Sequence, residues 1–135
     1  MPDNYRQKIE RIQAIHNYIL GLIQAIPGIV INGKTFESFV NCQDYPGCFV
    51  LYADGEASGV REVSNYIIHF DIVIKNRLEN ELDNLDIVKL VLEKLEDYQL
   101  GKNCIKCTPG FTKTYYDAIG ETKSVQTVIT LDIEI

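Results

Sequence analysis

The fold of this chain is decided by residues 122–135, TKSVQTVITLDIEI, where apolar and polar side chains alternate. Successive side chains of an extended strand point to opposite faces, so this alternation predicts a half-buried β-strand. The face that we expect to be buried carries Val125, Thr127, Ile129, Leu131, Ile133 and Ile135. The face that we expect to meet water carries Gln126, Thr130, Asp132 and Glu134. The chain therefore builds a sheet with one face toward a core.

A second long strand is predicted from Ser64 to Lys75. The residues expected on its buried face are Tyr66, Ile68, Phe70, Ile72 and Ile74. The residues expected on its other face are Ile67, His69, Asp71, Val73 and Lys75. Because this second face is only partly polar, we expect a helix or a neighbouring subunit to cover part of it.

Two amphipathic helices flank this strand, one from Tyr5 to Ile26 and one from about Asn84 to Tyr98. The apolar stripe of the first helix is predicted to comprise Ile9, Ile12, His16, Ile19, Leu20, Ile23 and Ile26. The stripe of the second is predicted to comprise Leu85, Val88, Leu92 and Leu95. Pro27-Gly28 is expected to stop the first helix, and Asn84 to cap the second.

The remaining apolar runs are short. Asn32-Gly33 predicts a hairpin between Ile29–Ile31 and Thr35–Val40. Further along the chain, Cys48 to Tyr52 reads as a buried strand and Ala53 to Val60 as a loop or the tip of a long hairpin. Two strands, Asn103 to Thr108 and Phe111 to Ile119, are predicted around Pro109-Gly110. The order of elements predicts one α+β domain over residues 1–135, with a mixed or mainly antiparallel sheet and two helices packed on one face.

Composition excludes several classes of protein. The 135 residues are 46% hydrophobic and 24% charged, as in a soluble globular domain. The longest apolar stretch, Ile19 to Val30, is too interrupted to span a bilayer, and the polar N-terminus predicts no secretory signal and use in a cytoplasm. A net charge of −6 with scattered basic residues argues against sequence-specific nucleic-acid binding.

The four cysteines are the sharpest candidates for a metal site. Cys42, Cys48, Cys104 and Cys107 could form a four-sulfur zinc shell in an interaction module. The first pair is spaced too widely for a zinc knuckle, and a strand would turn Cys104 and Cys107 to opposite faces. We therefore expect the four cysteines to be buried or unreactive thiols, and we expect no metal and no cofactor.

The two histidines offer one catalytic alternative. His16 lies on the apolar stripe of the first helix and is expected to be a satisfied core histidine. His69 and Asp71 share one face of a strand, as in a small enzyme or ligand-binding domain that uses an oriented imidazole. No serine or cysteine nucleophile can be placed beside them, so we expect no catalytic residues and no enzyme.

Laid out in this order, the chain resembles the small neck and tail proteins of long-tailed bacteriophages, in particular tail terminators and Gp37-like minor tail proteins of prophages. The resemblance rests on the helix Ile9 to Ile26, the strand 47–52 (GCFVLY), the strand Tyr66 to Lys75, the helix Leu85 to Leu95 and the closing strand Thr127 to Ile133. It covers nearly the whole chain as a pattern of elements, without a specific motif.

This resemblance implies a structural role. Such proteins form a six-fold ring that ends the tail tube and faces the head connector, so the implied partners are further copies of the chain, the tube and the connector. Assembly in the host cytoplasm and a final place in the virion tail follow from the same resemblance. Strand edges and the 53–60 segment are the expected contacts, with interface candidates Asp54, Glu56, Ser58, Val60, Tyr115 and Tyr116.

Overall fold

The computed structural model describes residues 5–58, 65–96, 106–119 and 122–135. Its helices are α1 (Tyr5–Gln24), α2 (Phe36–Val40) and α3 (Asp83–Glu96), with a 3-10 turn at Leu78–Asn80. Its strands are β1 (Ile31–Gly33), β2 (Gly47–Ser58), β3 (Asn65–Arg77), β4 (Lys106–Ile119) and β5 (Thr122–Glu134).

The strands form one five-stranded sheet in the order β1-β2-β3-β5-β4. All pairs between the four long strands are antiparallel, whereas the short β1 runs parallel to β2. The α+β class and the mixed sheet are therefore confirmed.

The alternation in 122–135 is confirmed by burial. Every odd-numbered residue from Val125 to Ile135 is buried, while Asp132 is exposed. The partner strand β3 buries Ile68, Phe70, Ile72 and Ile74 completely. These side chains form one cluster with Ile15, Ile19 and Ile23 of α1 and Val88, Val91 and Leu95 of α3. Two helices thus cover one face of the sheet, as expected.

The opposite face is covered at one end by α2. Lys75 of β3 is only 9% exposed, and its Nζ donates to the backbone oxygens of Phe39 (3.4 Å) and Cys42 (3.3 Å). The same ammonium lies 5.3 Å from the centre of the Phe39 ring, which meets Phe49 edge-on at 5.7 Å. A partly polar strand face is therefore closed by a helix, and carbonyl groups satisfy the buried charge.

The predicted hairpin at Asn32-Gly33 is wrong, because the run after it is helical. Thr35 caps α2 by accepting a hydrogen bond from the backbone N–H of Ser38 at 3.1 Å. A side-chain oxygen that satisfies a free N–H favours a helix start over a strand. The segment then returns to β2, where Gly47 approaches so closely that an added Cβ would lie 2.9 Å from Cys42 Sγ.

The predicted stripes of the two long helices are correct in part, because Ile19 and Ile23 of α1 and Val88 and Leu95 of α3 are buried as predicted. Ile9 is 54% exposed and Leu85 is 56% exposed, so neither is a core residue. Asn84 is not a cap but the second residue of α3, and it is 1% exposed. Its Nδ2 donates to Thr127 Oγ1 at 3.2 Å, so a polar side chain takes a place on the buried face.

Two boundaries also differ from the sequence expectation. Residues 53–58, expected in a loop or a hairpin tip, belong to strand β2 and pair with β3 as far as Ser58 and Asn65. The two strands predicted around Pro109-Gly110 are one strand with a register shift between Pro109 and Thr112. A local bulge keeps the strand continuous where proline cannot donate to the ladder.

The core histidine expected at position 16 is confirmed. His16 is half-buried, its Nε2 donates to the backbone oxygen of Val50 at 2.5 Å, and its ring lies 5.1 Å from that of Phe70. Burial lowers the pKa of His16, against the opposing effect of the Val50 carbonyl, and the nearby Lys34 charge lowers it further. The folded protein therefore prefers the neutral imidazole.

We predict that Leu95→Ala destabilises the fold strongly and that Leu85→Ala does not. Leu95 is 3% exposed and Leu85 is 56% exposed on the same helix. Removing the buried side chain should cost about 2–5 kcal/mol of unfolding free energy, and removing the exposed one less than about 1 kcal/mol. Urea unfolding of both variants checks this, and equal losses would place the stripe of α3 where the sequence had put it.

We predict that His16 makes the fold less stable as the pH falls through about 6.5. A histidine whose pKa is lowered by folding binds fewer protons in the native state, so acid favours the unfolded chain. Thermal unfolding between pH 7 and pH 5 should show a smaller loss in His16→Gln than in the wild type. His69→Gln is the matched control and should retain the loss of stability between pH 7 and pH 5 that His16 causes. If His16→Gln lost as much stability over this range as the wild type, His16 would not be the group responsible.

Candidate functional site

A row of three polar side chains crosses the uncovered part of the sheet. Asp54 of β2, His69 of β3 and Asp132 of β5 are register neighbours. His69 Nδ1 donates to Asp132 Oδ1 at 2.6 Å, and its Nε2 lies 3.7 Å from Asp54 Oδ1. The side chains of Asp54 and Asp132 are 74% and 56% exposed, and that of His69 is 27% exposed.

The three side chains of this row are not arranged to chelate a metal ion. The two nitrogens of an imidazole point in diverging directions, so the two carboxylates lie on opposite sides of the His69 ring. Across residues 5–58, 65–96, 106–119 and 122–135, no three His, Cys, Asp or Glu side chains are grouped to hold a metal ion. The sequence had placed His69 beside Asp71 on one strand, and the structure adds Asp54 and Asp132 from the strands on either side.

Further acidic positions surround this row on the same face. Asp71 lies two residues beyond His69, and Glu134 lies two residues beyond Asp132, opposite Ile67. Of the described basic side chains on this face of β3, Lys75 is buried under α2, and Arg77 lies beyond it at the same far end of the strand. We call the surface formed by Asp54, His69, Asp71, Asp132 and Glu134 the acidic face. Among the side chains that the structure describes, four carboxylates therefore lie on this end of the sheet.

The sheet has two open edges. At one side, β1 pairs only with residues 47–49 of β2, so the rest of β2 has no strand beside it in the described part of the chain. At the other side, β4 is the last strand and pairs within the described residues only with β5. A strand edge presents unpaired N–H and C=O groups that another chain can bind.

The predicted interface residues fall on these two edges. Asp54, Glu56 and Ser58 lie in β2, and Tyr115 and Tyr116 lie in β4. Tyr115 is the register partner of Gln126 and Tyr116 that of Val125, so the tyrosines occupy positions on opposite faces of the sheet. Val60 lies outside the described residues. The edges themselves escaped the sequence analysis because they depend on strand order, which no local pattern encodes.

The described cysteine side chains do not share one site. Cys48 belongs to the core cluster on the helix-covered face, and burial raises the pKa of its thiol to about 12. Cys42 lies toward the α2 side, and its Sγ donates to the backbone oxygen of Asp44 at 3.1 Å. Burial raises the pKa of the Cys42 thiol as well. Such thiols resist ionisation, which metal binding and redox chemistry require; Cys104 and the side chain of Cys107 lie outside the described part.

Among the described residues, no helix has the length and apolar character needed to cross a lipid bilayer. No protein-family profile matches the chain, and no curated protein matches it in sequence.

The comparison with solved structures gives a likeness of fold. The chain superposes on a chain of the "Virion of native gene transfer agent (GTA) particle" with a TM-score of 0.50 and 9% sequence identity. The match covers 92% of this chain and 97% of the other. The arrangement of helices and strands described above is therefore similar, nearly from end to end, to that of a chain in a virus-like particle.

Proposed function

We propose that this protein is a structural subunit of a phage or prophage tail, a tail terminator or tail-completion protein that forms a ring. In this role it ends the tail tube and connects it to the head. The observation that carries the proposal is a single sheet that, within the part of the chain that the structure describes, has an open strand edge at each side. The similarity of fold to a chain of a gene transfer agent virion supports the same role.

Two different open edges suit a ring better than a two-fold dimer. When one surface of a subunit binds a different surface of the next copy, the contact repeats and closes into a ring if the rotation allows it. Here one edge belongs to β2 and the other to β4, at opposite ends of the strand order. Each copy therefore has two different binding surfaces, one at each side of the sheet.

The acidic face supports a lumen through which DNA passes. Asp54 and Asp132 are well exposed, and the side of the sheet that carries them is free of α1 and α3. Negative charge around a channel repels phosphates, so DNA moves past without binding. In the proposed ring this face points inward and the two long helices point outward.

An exposed apolar pair on α2 supports contacts with other tail proteins. Phe36 is 69% exposed and Val40 is 54% exposed, one helical turn apart. Large exposed side chains of this kind are typical of binding surfaces when they lie together. In the proposed assembly, α2 faces the tail tube or the head connector. The protein is assembled in the host cytoplasm and ends in the virion tail.

The one alternative with a specific observation behind it is a ligand-binding or catalytic role for His69. A short Nδ1 hydrogen bond to a carboxylate orients the imidazole, as general-base chemistry requires. The tail proposal assigns the same contact to charge balance on the acidic face and assigns the protein no reaction.

We predict that native mass spectrometry near neutral pH shows a closed homo-oligomer of a single size, without bound metal. The spectrum should be unchanged after treatment with a chelator, since the proposed ring needs no zinc. His69→Ala is the matched control and should assemble as the wild type does, because His69 lies on β3 in the interior of the sheet. A chain that remains monomeric at all concentrations would contradict the ring, and one stoichiometric zinc per chain would favour an interaction module.

A further inference from the structure

The strand directions determine how two copies of this sheet can continue into each other. β2 and β5 run in one direction, and β3 and β4 run in the opposite one, since each long neighbouring pair is antiparallel. If the sheet of one copy continues into the next, β4 of the first copy comes to lie antiparallel beside β2 of the second. The junction then repeats the pairing that the sheet already uses between its long strands.

We propose that copies of this protein assemble by antiparallel pairing of β4 in one subunit with the open edge of β2 in the next. The inference rests on the proposed function, because it assigns the contact that closes the ring. Backbone hydrogen bonds supply the attraction at such an added strand, and side chains on the shared face select the partner and register.

Irregularities in both edge strands limit where the pairing can occur. The register of β2 shifts between Tyr52 and Asp54, and that of β4 shifts between Pro109 and Thr112. Bulges and proline interrupt an edge and prevent pairing along its whole length. The longest uninterrupted runs that are not paired with β1 are residues 54–58 of β2 and 112–119 of β4. These two short runs form the junction.

Charge on the shared face favours registers in which Lys113 faces an acidic residue of β2. Asp54 and Glu56 pair with His69 and Ile67, and Lys113 pairs with Val128, which places all three edge residues at positions on the side of the acidic face. Lys113 is the one basic residue of the 112–119 run. Placing Lys113 opposite Glu56 brings unlike charges together across the junction, and opposite charges at directly facing strand positions attract.

The two neighbouring registers are disfavoured for different reasons. With Lys113 opposite Asp54, only residues 54 and 55 of β2 find partners in the 112–119 run, whereas residues 54–57 all find partners when Lys113 lies opposite Glu56. When Lys113 lies opposite Glu56 in an antiparallel pair, position 115 faces position 54, so Tyr115 meets Asp54. A shift of two residues that moves Lys113 to Ser58 brings Asp117 opposite Asp54, and two carboxylates then face each other. Like charges at facing positions repel. The contact between Lys113 and Glu56 is therefore the one to test.

The test is disulfide cross-linking between copies. Two variants, Glu56→Cys and Lys113→Cys, are prepared separately in a background with Cys104→Ser and Cys107→Ser, and are then mixed and oxidised. Facing residues of an antiparallel pair have Cα atoms about 4.5–5.5 Å apart, within the range that a disulfide spans. The expected result is a covalent dimer that forms on mixing. The matched control pairs Glu56→Cys with Val128→Cys, because Val128 is the neighbour of Lys113 on the interior strand β5.

A charge exchange gives a second measurement that does not depend on the cysteines. Lys113→Glu should raise the protein concentration needed for half-assembly about fivefold, as expected for a change of about 1 kcal/mol at one contact. Adding Glu56→Lys to the same chain should restore assembly, because each contact then again joins a lysine to a glutamate.

The outcomes separate this inference from the proposed function. Cross-links between positions 56 and 113 but not between 56 and 128, together with rescue by the charge exchange, support the strand pairing. If a closed oligomer forms without these cross-links, and if neither Lys113→Glu nor Glu56→Lys changes the concentration needed for half-assembly, the strand pairing is overturned but the ring is not. A chain that forms no oligomer overturns the ring itself.

Discussion

The pairing of β3 with β5 is the interaction on which the rest of the structure depends. Their register runs without a shift from Ile67 and Glu134 to Arg77 and Ser124, and it aligns the buried residues of both strands on one face. A slip of one residue would turn all of these side chains to the other face. Both helices pack on the surface that this register creates, so the position of α1 and α3 follows from it.

The same pairing explains what the sequence could predict. Side chains of a strand alternate with a period of two. A single window such as 122–135 contains several repeats of this alternation, enough to identify the segment as a β-strand and to identify its buried face. The buried stripe of a helix is harder to predict from the sequence, because residues three apart and residues four apart both lie on the same face of a helix. For α3 this ambiguity placed Leu85 in the stripe and left out Asn84 and Val91, which are buried, whereas Leu95 was predicted correctly. A buried asparagine with a threonine partner has no signal in an apolar pattern.

The parts that the sequence did not predict depend on contacts between distant residues. The β1–α2 segment was expected to be a hairpin because Asn-Gly is a strong local turn signal, yet β1 pairs with β2 in parallel and Thr35 starts a helix. The row formed by Asp54, His69 and Asp132 spans three strands and 78 residues of sequence, from 54 to 132. Only the register brings these side chains together, and only the strand order reveals which edges are open.

This architecture separates the residues that maintain the fold from the exposed polar residues on the other face of the sheet. One face of the sheet is committed to a core of isoleucine, leucine, valine and phenylalanine side chains, and Lys75 ties α2 to part of the other. Asp54 and Asp132 on the acidic face lie outside that core and are well exposed, so substitutions there should cost little free energy of folding. An open edge is an aggregation hazard for a solitary domain, and bulges in both edge strands restrict its length. Within the described residues, the two edges lie at opposite sides of one sheet, and this arrangement is the basis of the proposed pairing between copies.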